Sequence, residues 1–222
     1  MNKIITKEGN VIPKPFNNLE QSKQNRIINA ALKEFAENGY ERASTNQIVK
    51  HAEIGKGMLF YYFKNKQGLY HYLIDYAIST IEREYLKQIY MEERDFIERF
   101  SQITEVKMTY YYKNPNVSNF ISNMYLDDEL ELPEHLERRL AEMMEDGLRQ
   151  MYENIDYTLF RDDINVDKAF QLICWSLEGY QNDLLNGLKG QNIALIKLDP
   201  YWDEFYEYLS ILKTAYYKTK EE

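Results

Sequence analysis

The sequence contains little cysteine, proline or glycine, with one, five and nine residues of each among 222. A single cysteine, Cys174, cannot form an intrachain disulfide, which excludes a small disulfide-stabilised fold. So few prolines and glycines leave little room for long linkers, and we expect few, long secondary-structure elements. The apolar runs are far shorter than the roughly 20 residues of a membrane span, and the first residues lack the apolar core of a signal peptide. We therefore expect a cytoplasmic protein with no membrane partner.

The composition is 44% apolar and 28% charged, which is typical of a globular protein with a substantial core. The charge is unevenly distributed. Residues 1–70 contain 11 Lys or Arg and 6 Asp or Glu, whereas residues 71–222 contain 16 and 30. A basic first third can approach nucleic acid while the acidic remainder faces away. The alternative is a chance fluctuation over 70 residues, and charge alone does not decide between the two.

Apolar residues recur at helical spacing along most of the chain, with no strand-type alternation and no internal repeat. Residues 1–18 are polar and contain Pro13 and Pro15, which predicts a flexible N-terminal arm. Helix starts and stops are indicated by caps, prolines and Gly39. The predicted helices cover 19–38, a short segment opening at the Ser44 cap, 56–63, 66–90, 94–113, 116–127, 133–152, 166–189 and 200–218.

Two short helices separated by a three-residue break have the size of a helix-turn-helix, in which the second helix enters the major groove of DNA. The segments that carry this pattern read GYERASTNQI at 39–48, AEIGKGMLFYYF at 52–63 and KQGL at 66–69. They resemble the DNA-binding head of the TetR family of transcriptional regulators, and the resemblance covers about residues 22–80. Beyond Ile81 it rests on the helical pattern alone.

The resemblance implies an all-α fold. A three-helix DNA-binding head would occupy residues 19–66, with the helix-turn-helix at about 45–64. A long helix would join it to a helical ligand-binding and dimerisation body over 67–222. Three residues depart from the family pattern: Glu53 stands where a small residue is usual, Phe60 where Tyr is frequent, and Gly55 where Ser or Thr would cap the helix.

The start of the second short helix has the chemistry of a DNA contact. Gly57 lets the backbone approach phosphate closely, Lys56 adds a cation, and Tyr61 offers a hydroxyl donor. The aromatic run at 60–63 has an alternative interpretation as core, and we assign Ile48, Leu59, Phe60, Phe63 and Leu69 to the core of the head. The residues expected to contact DNA are Thr45, Gln47, Lys56, Gly57, Met58, Tyr61, Tyr62 and Lys66.

The body contains more aromatic residues than a small core requires, and some of them are expected to line a pocket for a small apolar or aromatic effector. The pocket candidates, each of which has an alternative role in the core, are Tyr111, Phe120, Met124, Phe170 and Trp175. The last two predicted helices have wide apolar faces, which indicates a homodimer built as a four-helix arrangement. The candidates for that interface are Leu177, Leu184, Leu188, Phe205, Leu209 and Leu212.

The sequence contains no recognisable catalytic or metal-binding constellation. The histidines at 51, 71 and 135 are too scattered for a zinc motif, and we expect neither a metal, a cofactor nor an enzyme. The sequence therefore predicts a ligand-responsive repressor that binds a palindromic operator in double-stranded DNA as a dimer. The alternative is a helical small-molecule-binding or interaction protein that no longer binds DNA, for which Glu53 and Phe60 are the indications.

Overall fold

The computed structural model describes residues 14–89, 92–124, 132–187 and 199–219. Within these ranges the fold is all-α, as predicted, and a single antiparallel β-bridge joins Phe160 to Tyr217. Three predicted helix ends, at 90, 127 and 189, and the first 13 residues of the predicted arm lie outside the described residues. The helices are α1 (Lys14–Asn17), α2 (Gln21–Arg42), α3 (Thr45–His51), α4 (Lys56–Phe63), α5 (Lys66–Glu84), α6 (Phe96–Lys113), α7 (Pro115–Met124), α8 (Glu134–Tyr152), α9 (Val166–Gly187) and α10 (Asp199–Tyr216).

The chain forms two compact units, which do not divide at the predicted boundary after residue 66. The first unit comprises residues 1–87 and 113–146, and the second comprises 88–112 and 147–222. The difference arises because α5, α7 and most of α8, all predicted as part of the body, belong to the first unit. The ring of Phe120 on α7 lies 6.4 Å from that of Phe35 and 5.2 Å from that of Tyr70.

The end of the predicted arm is ordered rather than flexible. Residues Lys14–Asn17 form the short helix α1, and the side chain of Phe16 is fully buried. Its ring lies 5.5 Å from Tyr62, 4.9 Å from Phe63 and 5.4 Å from Tyr72. Burial of a large aromatic ring among three others outweighs the entropy of a free arm. The prediction of a flexible arm over 1–18 is thus wrong for residues 14–17.

Helix α2 supplies the longest buried face of the first unit. Ile27, Ile28, Ala31, Leu32 and Phe35 are buried at helical spacing, as the periodicity predicts. The backbone leaves the helical conformation at Gly39, where the sequence predicts the stop. Gly39 has φ 67° and ψ 175°, and the chain then makes one more helical turn to Arg42. Glycine adopts this backbone conformation without the steric penalty of a Cβ.

The core of the second unit lies between α6, α9 and α10. Phe96, Phe100, Ile173, Leu177 and Phe205 are among its buried residues. The buried guanidinium of Arg99 on α6 donates from Nε to the backbone oxygen of Glu93 at 2.6 Å and from Nη1 to that of Gln150 at 3.3 Å. These bonds to carbonyl groups tie α6 to the end of α8.

Candidate functional site

Helices α3 and α4 form the helix-turn-helix that the sequence predicts. The Ser44 side chain caps α3 by accepting a hydrogen bond from the Gln47 backbone N–H at 3.4 Å. Ile48 on α3 and Leu59 and Phe63 on α4 are buried, as expected for the head core, while Phe60 is half-buried. The inward residues fix one face of each helix and leave the other face of α4 in solvent.

The turn between the two helices contains Glu53 in a left-handed conformation, with φ 54°. This backbone region is unfavourable for a side chain with a Cβ, as the departure from the family pattern predicts. Glu53 Oε2 lies 3.3 Å from Nη1 of Arg26, and both side chains are largely exposed. An exposed ion pair contributes little stability, so it does not compensate fully for the strain.

The first turn of α4 is open to solvent. Gly55 occupies the N-cap position, and no side chain caps the helix. Lys56 and Gly57 are exposed, and a Cβ added at Gly57 would meet no atom within 4 Å. The fold therefore does not require glycine at position 57. An uncapped helix N-terminus with a small residue suits close approach of an anionic group such as phosphate.

The predicted contact residues on α4 differ in exposure. Tyr61 is 69% exposed, whereas Tyr62 is half-buried with its ring against Phe16. Met58 is half-buried, and the Lys56 ammonium lies 5.9 Å from the centre of the Phe60 ring. The exposed side chains on α4 are thus those of Lys56, in its first turn, and Tyr61, in its second.

The remaining predicted contacts lie at the helix starts on either side of α4. At the start of α3, Gln47 is exposed and Thr45 half-buried. At the start of α5, the Lys66 ammonium donates to the backbone oxygen of Glu41 at 2.9 Å and lies 5.0 Å over the Tyr40 ring. Lys66 therefore secures the segment before α3, a role that its position in the sequence does not indicate.

The sequence interpretation missed Glu34, a buried acidic residue on α2. Its Oε1 accepts a hydrogen bond from the backbone N–H of Ser44 at 2.8 Å. The bond links α2 to the first residue of the helix-turn-helix. The available signal was an acidic residue next to Phe35 on an otherwise apolar face.

The second unit contains a cleft that the predicted pocket residues do not line. It is partly open to solvent, and its empty space, solvent included, is about 380 Å³. The residues that bound it are Thr104, Met108, Tyr112, Tyr180, Gln181, Leu184, Tyr201, Trp202 and Phe205. Of the predicted set, Phe120 and Met124 are buried in the first unit, Phe170 belongs to the core of the second, and Trp175 is 61% exposed. Tyr111 packs beside Tyr112 with ring centres 6.3 Å apart.

The predicted dimer residues require a correction because the chain itself covers most of them. Leu177, Phe205, Leu209 and Leu212 are buried in the core of the second unit. Leu184 is half-buried and lines the cleft, and Leu188 lies outside the described residues. The apolar stripes were located correctly, but they face the other helices of the same chain. The large apolar side chains that α9 and α10 expose are Leu172, Trp175, Tyr206, Tyr208 and Ile211.

Reactive and metal-binding groups are scarce in the described part of the chain. No three His, Cys, Asp or Glu side chains there are grouped so that they could hold a metal ion. Cys174 is buried, 3.5 Å from the Tyr152 hydroxyl, and burial raises the pKa of its thiol. A buried thiol with a raised pKa is a poor nucleophile. None of the described helices is long and apolar enough to cross a membrane.

Comparison with known proteins matches the helix-turn-helix region. Residues 27–73 match the family model of bacterial regulatory proteins of the TetR family. The segment that contains the helix-turn-helix is thus similar to the DNA-binding region of that family. A curated relative, the HTH-type transcriptional regulator QacR of Staphylococcus aureus, is 30% identical over 105 residues, which cover 46% of this chain and 55% of that protein. The chain thus spans about half the length of that relative.

Solved structures show the TetR fold along most of the chain. A TetR family transcriptional regulator from Chloroflexus aurantiacus has a TM-score of 0.67 at 22% identity, covering 93% of this chain and 98% of that one. The ketosteroid transcriptional regulator KstR2 of Mycobacterium tuberculosis has a TM-score of 0.61 at 16% identity, covering 90% and 98%. At these identities the likeness concerns the fold.

Proposed function

We propose that this protein is a transcriptional regulator of the TetR family that binds double-stranded DNA through α4. The observation that carries the proposal is the open first turn of this helix, where Lys56 is exposed and Gly57 is unconstrained by the fold, together with the exposed Tyr61 in the next turn. Backbone amides and a tyrosine hydroxyl can position the helix on phosphates, and a lysine can reach guanine acceptors. Thr45, Gln47 and Met58 extend the same surface.

The protein binds DNA as a homodimer, joined through α9 and α10. Leu172 and Trp175 lie three residues apart on α9, and Tyr208 and Ile211 three apart on α10, and all four are exposed in the single chain. Such apolar exposure on two helices is typical of an oligomer surface. A two-fold dimer presents its two α4 helices to half-sites roughly 34 Å apart, which favours a palindromic operator.

The regulator acts as a repressor that a small apolar or aromatic effector releases. The aromatic cleft of the second unit supports this part of the proposal. The name of KstR2 describes a ketosteroid regulator, an example within this fold of control linked to an apolar molecule. An effector releases the operator only if it binds more tightly to a conformation with low DNA affinity.

The proposal is tested by enrichment of bound sequences from random duplex DNA. The full-length protein is compared with a Lys56→Ala, Tyr61→Ala variant and with a control variant, Tyr157→Ala, Lys168→Ala, which removes the same side-chain types from exposed positions in the second unit. We expect a two-fold symmetric site with the wild-type and the control, and none with the Lys56, Tyr61 variant. Equal enrichment by all three proteins would refute the role of α4.

A second candidate function is a ligand-binding protein without DNA affinity. The strained Glu53, which places a negative charge beside α4, favours it. A DNA titration across salt concentrations separates the two, since phosphate contacts make the logarithm of the binding constant fall linearly with that of the salt concentration. A folded dimer without measurable DNA binding at low salt would favour this second function.

A further inference from the structure

The cleft in the second unit is aromatic on most of its wall. It lies between α6, α9 and α10, and its aromatic lining consists of Tyr112, Tyr180, Tyr201, Trp202 and Phe205. Met108 and Leu184 add flexible apolar surface. Flat aromatic walls with a thioether favour a flat, apolar guest, because aromatic rings stack in offset or edge-to-face geometry.

Two polar groups on the wall have partners within the second unit. The Tyr180 hydroxyl donates to the backbone oxygen of Tyr201 at 2.8 Å and lies 3.1 Å from Oε2 of Glu204. The Gln181 Oε1 accepts from the Lys107 ammonium at 3.0 Å. The carboxylate of Glu204 and the ammonium of Lys107 are thus each hydrogen-bonded to a residue of the lining. Because their charges are opposite, the cleft prefers neither a cation nor an anion. This arrangement favours an uncharged guest.

The Tyr112 hydroxyl is different. Its oxygen is buried and has no hydrogen-bond partner among the described residues. A buried hydroxyl without a partner costs free energy, and native proteins retain few such groups. Burial also raises the pKa of Tyr112, so the group stays protonated and can donate at neutral pH. A guest in the cleft that offers one polar atom would satisfy this hydroxyl.

We propose that the cleft binds an uncharged, flat aromatic molecule with one hydroxyl or carbonyl group, and that Tyr112 selects the molecule by hydrogen bonding to that group. The inference rests on the proposed function in one respect, namely that a ligand of this class is the effector. The binding itself does not depend on DNA. Tyr112 is therefore a specificity-determining residue, while Trp202 and Phe205 provide the apolar contact.

The test uses two probes of the same shape, 2-naphthol and naphthalene, whose binding to the full-length protein is measured by equilibrium dialysis at pH 7 without DNA. The hydroxyl of 2-naphthol can pair with that of Tyr112, and naphthalene cannot. We expect Tyr112→Phe to weaken the binding of 2-naphthol about three- to tenfold, which corresponds to the loss of one neutral hydrogen bond. The affinity for naphthalene should stay unchanged or rise slightly. The matched control is Tyr111→Phe, the same change on the adjacent residue, which lies outside the lining. It should change neither affinity.

Three outcomes would overturn the proposal. The first is that neither probe binds saturably to the wild-type protein. The second is that Tyr112→Phe lowers the affinity for both probes equally. The third is that Tyr111→Phe also lowers the affinity for 2-naphthol selectively. Thermal unfolding of each variant accompanies the dialysis, and Tyr112→Phe should be at least as stable as the wild-type because it removes a buried unpartnered oxygen. Because DNA is absent from this assay, a negative result leaves DNA binding through α4 to be decided by the enrichment experiment.

Discussion

The carboxylate of Glu34 accepts a hydrogen bond of 2.8 Å from the backbone N–H of Ser44. A side chain buried on α2 therefore positions the start of α3. Ser44 in turn caps α3 through its own hydroxyl. The start of the helix-turn-helix therefore depends on Glu34, a residue buried away from the proposed DNA-binding surface. Glu34 is a positioning residue for the DNA-binding surface.

Replacement of Glu34 by alanine should destabilise the protein by about 1–3 kcal/mol, since a backbone N–H loses its acceptor in a buried setting. Glu34→Gln keeps an acceptor oxygen of the same reach and should recover most of the loss. Urea unfolding followed by circular dichroism measures both. A Gln variant as unstable as the Ala variant would show that the negative charge, and not the hydrogen bond, stabilises this contact.

Gly57→Ala should separate folding from DNA binding. A Cβ at this position meets open space in the free protein, and alanine favours a helix over glycine by up to about 1 kcal/mol. We therefore expect unchanged or slightly higher stability but at least about a tenfold loss of operator affinity, because the methyl group occupies the space that phosphate or a base would use. Fluorescence anisotropy with the enriched site measures the affinity. Unaltered affinity would show that neither phosphate nor a base approaches position 57 closely.

Glu53→Gly should strengthen DNA binding. Glycine relieves the left-handed strain at this turn but adds entropy to the unfolded chain, so the free energy of unfolding should change by less than about 1 kcal/mol. Removal of a negative charge near the phosphates should raise the affinity a few-fold at low salt, and the gain should shrink as salt increases. Anisotropy titrations at two salt concentrations reveal this. The control is Glu53→Asn, which removes the charge and tolerates the left-handed backbone conformation. Glu37→Gly would not be a suitable control, because it places glycine inside α2.

Ile211→Asp should disrupt the dimer without unfolding the chain. Ile211 is 63% exposed in the single chain, so a charge there costs little unless a second copy covers it. Sedimentation velocity should show a shift from dimer to monomer with unchanged helicity. Glu207→Asp, a mild change at an exposed position one turn earlier on α10, serves as the control. A variant that remains fully dimeric would remove this face of α10 from the interface.

The stability of the first unit should depend on pH through His71. Burial lowers the pKa of His71, and the neighbouring His135 lowers it further. The folded state therefore binds this proton less readily than the unfolded chain, and stability should fall as the pH drops through the unfolded value of about 6.5.

His71→Gln should make the stability flatter between pH 7.5 and 5.5, as measured by urea unfolding at each pH. Asp75, whose pKa is raised by burial, acts in the opposite sense at lower pH, because the folded state then binds its proton more readily. The comparison between wild-type and variant isolates the histidine. Identical pH profiles would contradict the shift of the His71 pKa.

Local signals in the sequence were sufficient for the helix-turn-helix, and its details followed them. The Ser44 and Asn65 caps, the inward Ile48 and Leu59 and the unfavourable turn at Glu53 all depend on residues within a few positions of one another. Such short-range patterns determine where helices begin and end.

The surfaces of the second unit depend on contacts that no local pattern encodes. The spacing of Leu177 and Phe205 shows that each helix has an apolar face, but periodicity does not tell whether the same chain or a partner covers it. A cleft is a gap between helices that are distant in sequence, so its lining could not be identified from aromatic content. Phe120 illustrates the limit, because its burial follows from α7 packing in the first unit.

The burial of Phe16 has a practical consequence for anyone who attaches a reporter or affinity tag to this protein. Trimming the chain through Asn17 would uncover the rings of Tyr62, Phe63 and Tyr72, which would then attract other apolar surfaces and promote aggregation. A tag placed before residue 14 leaves the packing of Phe16 against these rings intact. Because Tyr62 belongs to α4, a fluorophore attached just ahead of Phe16 would stand close to the proposed DNA surface and could serve as a sensor of operator binding.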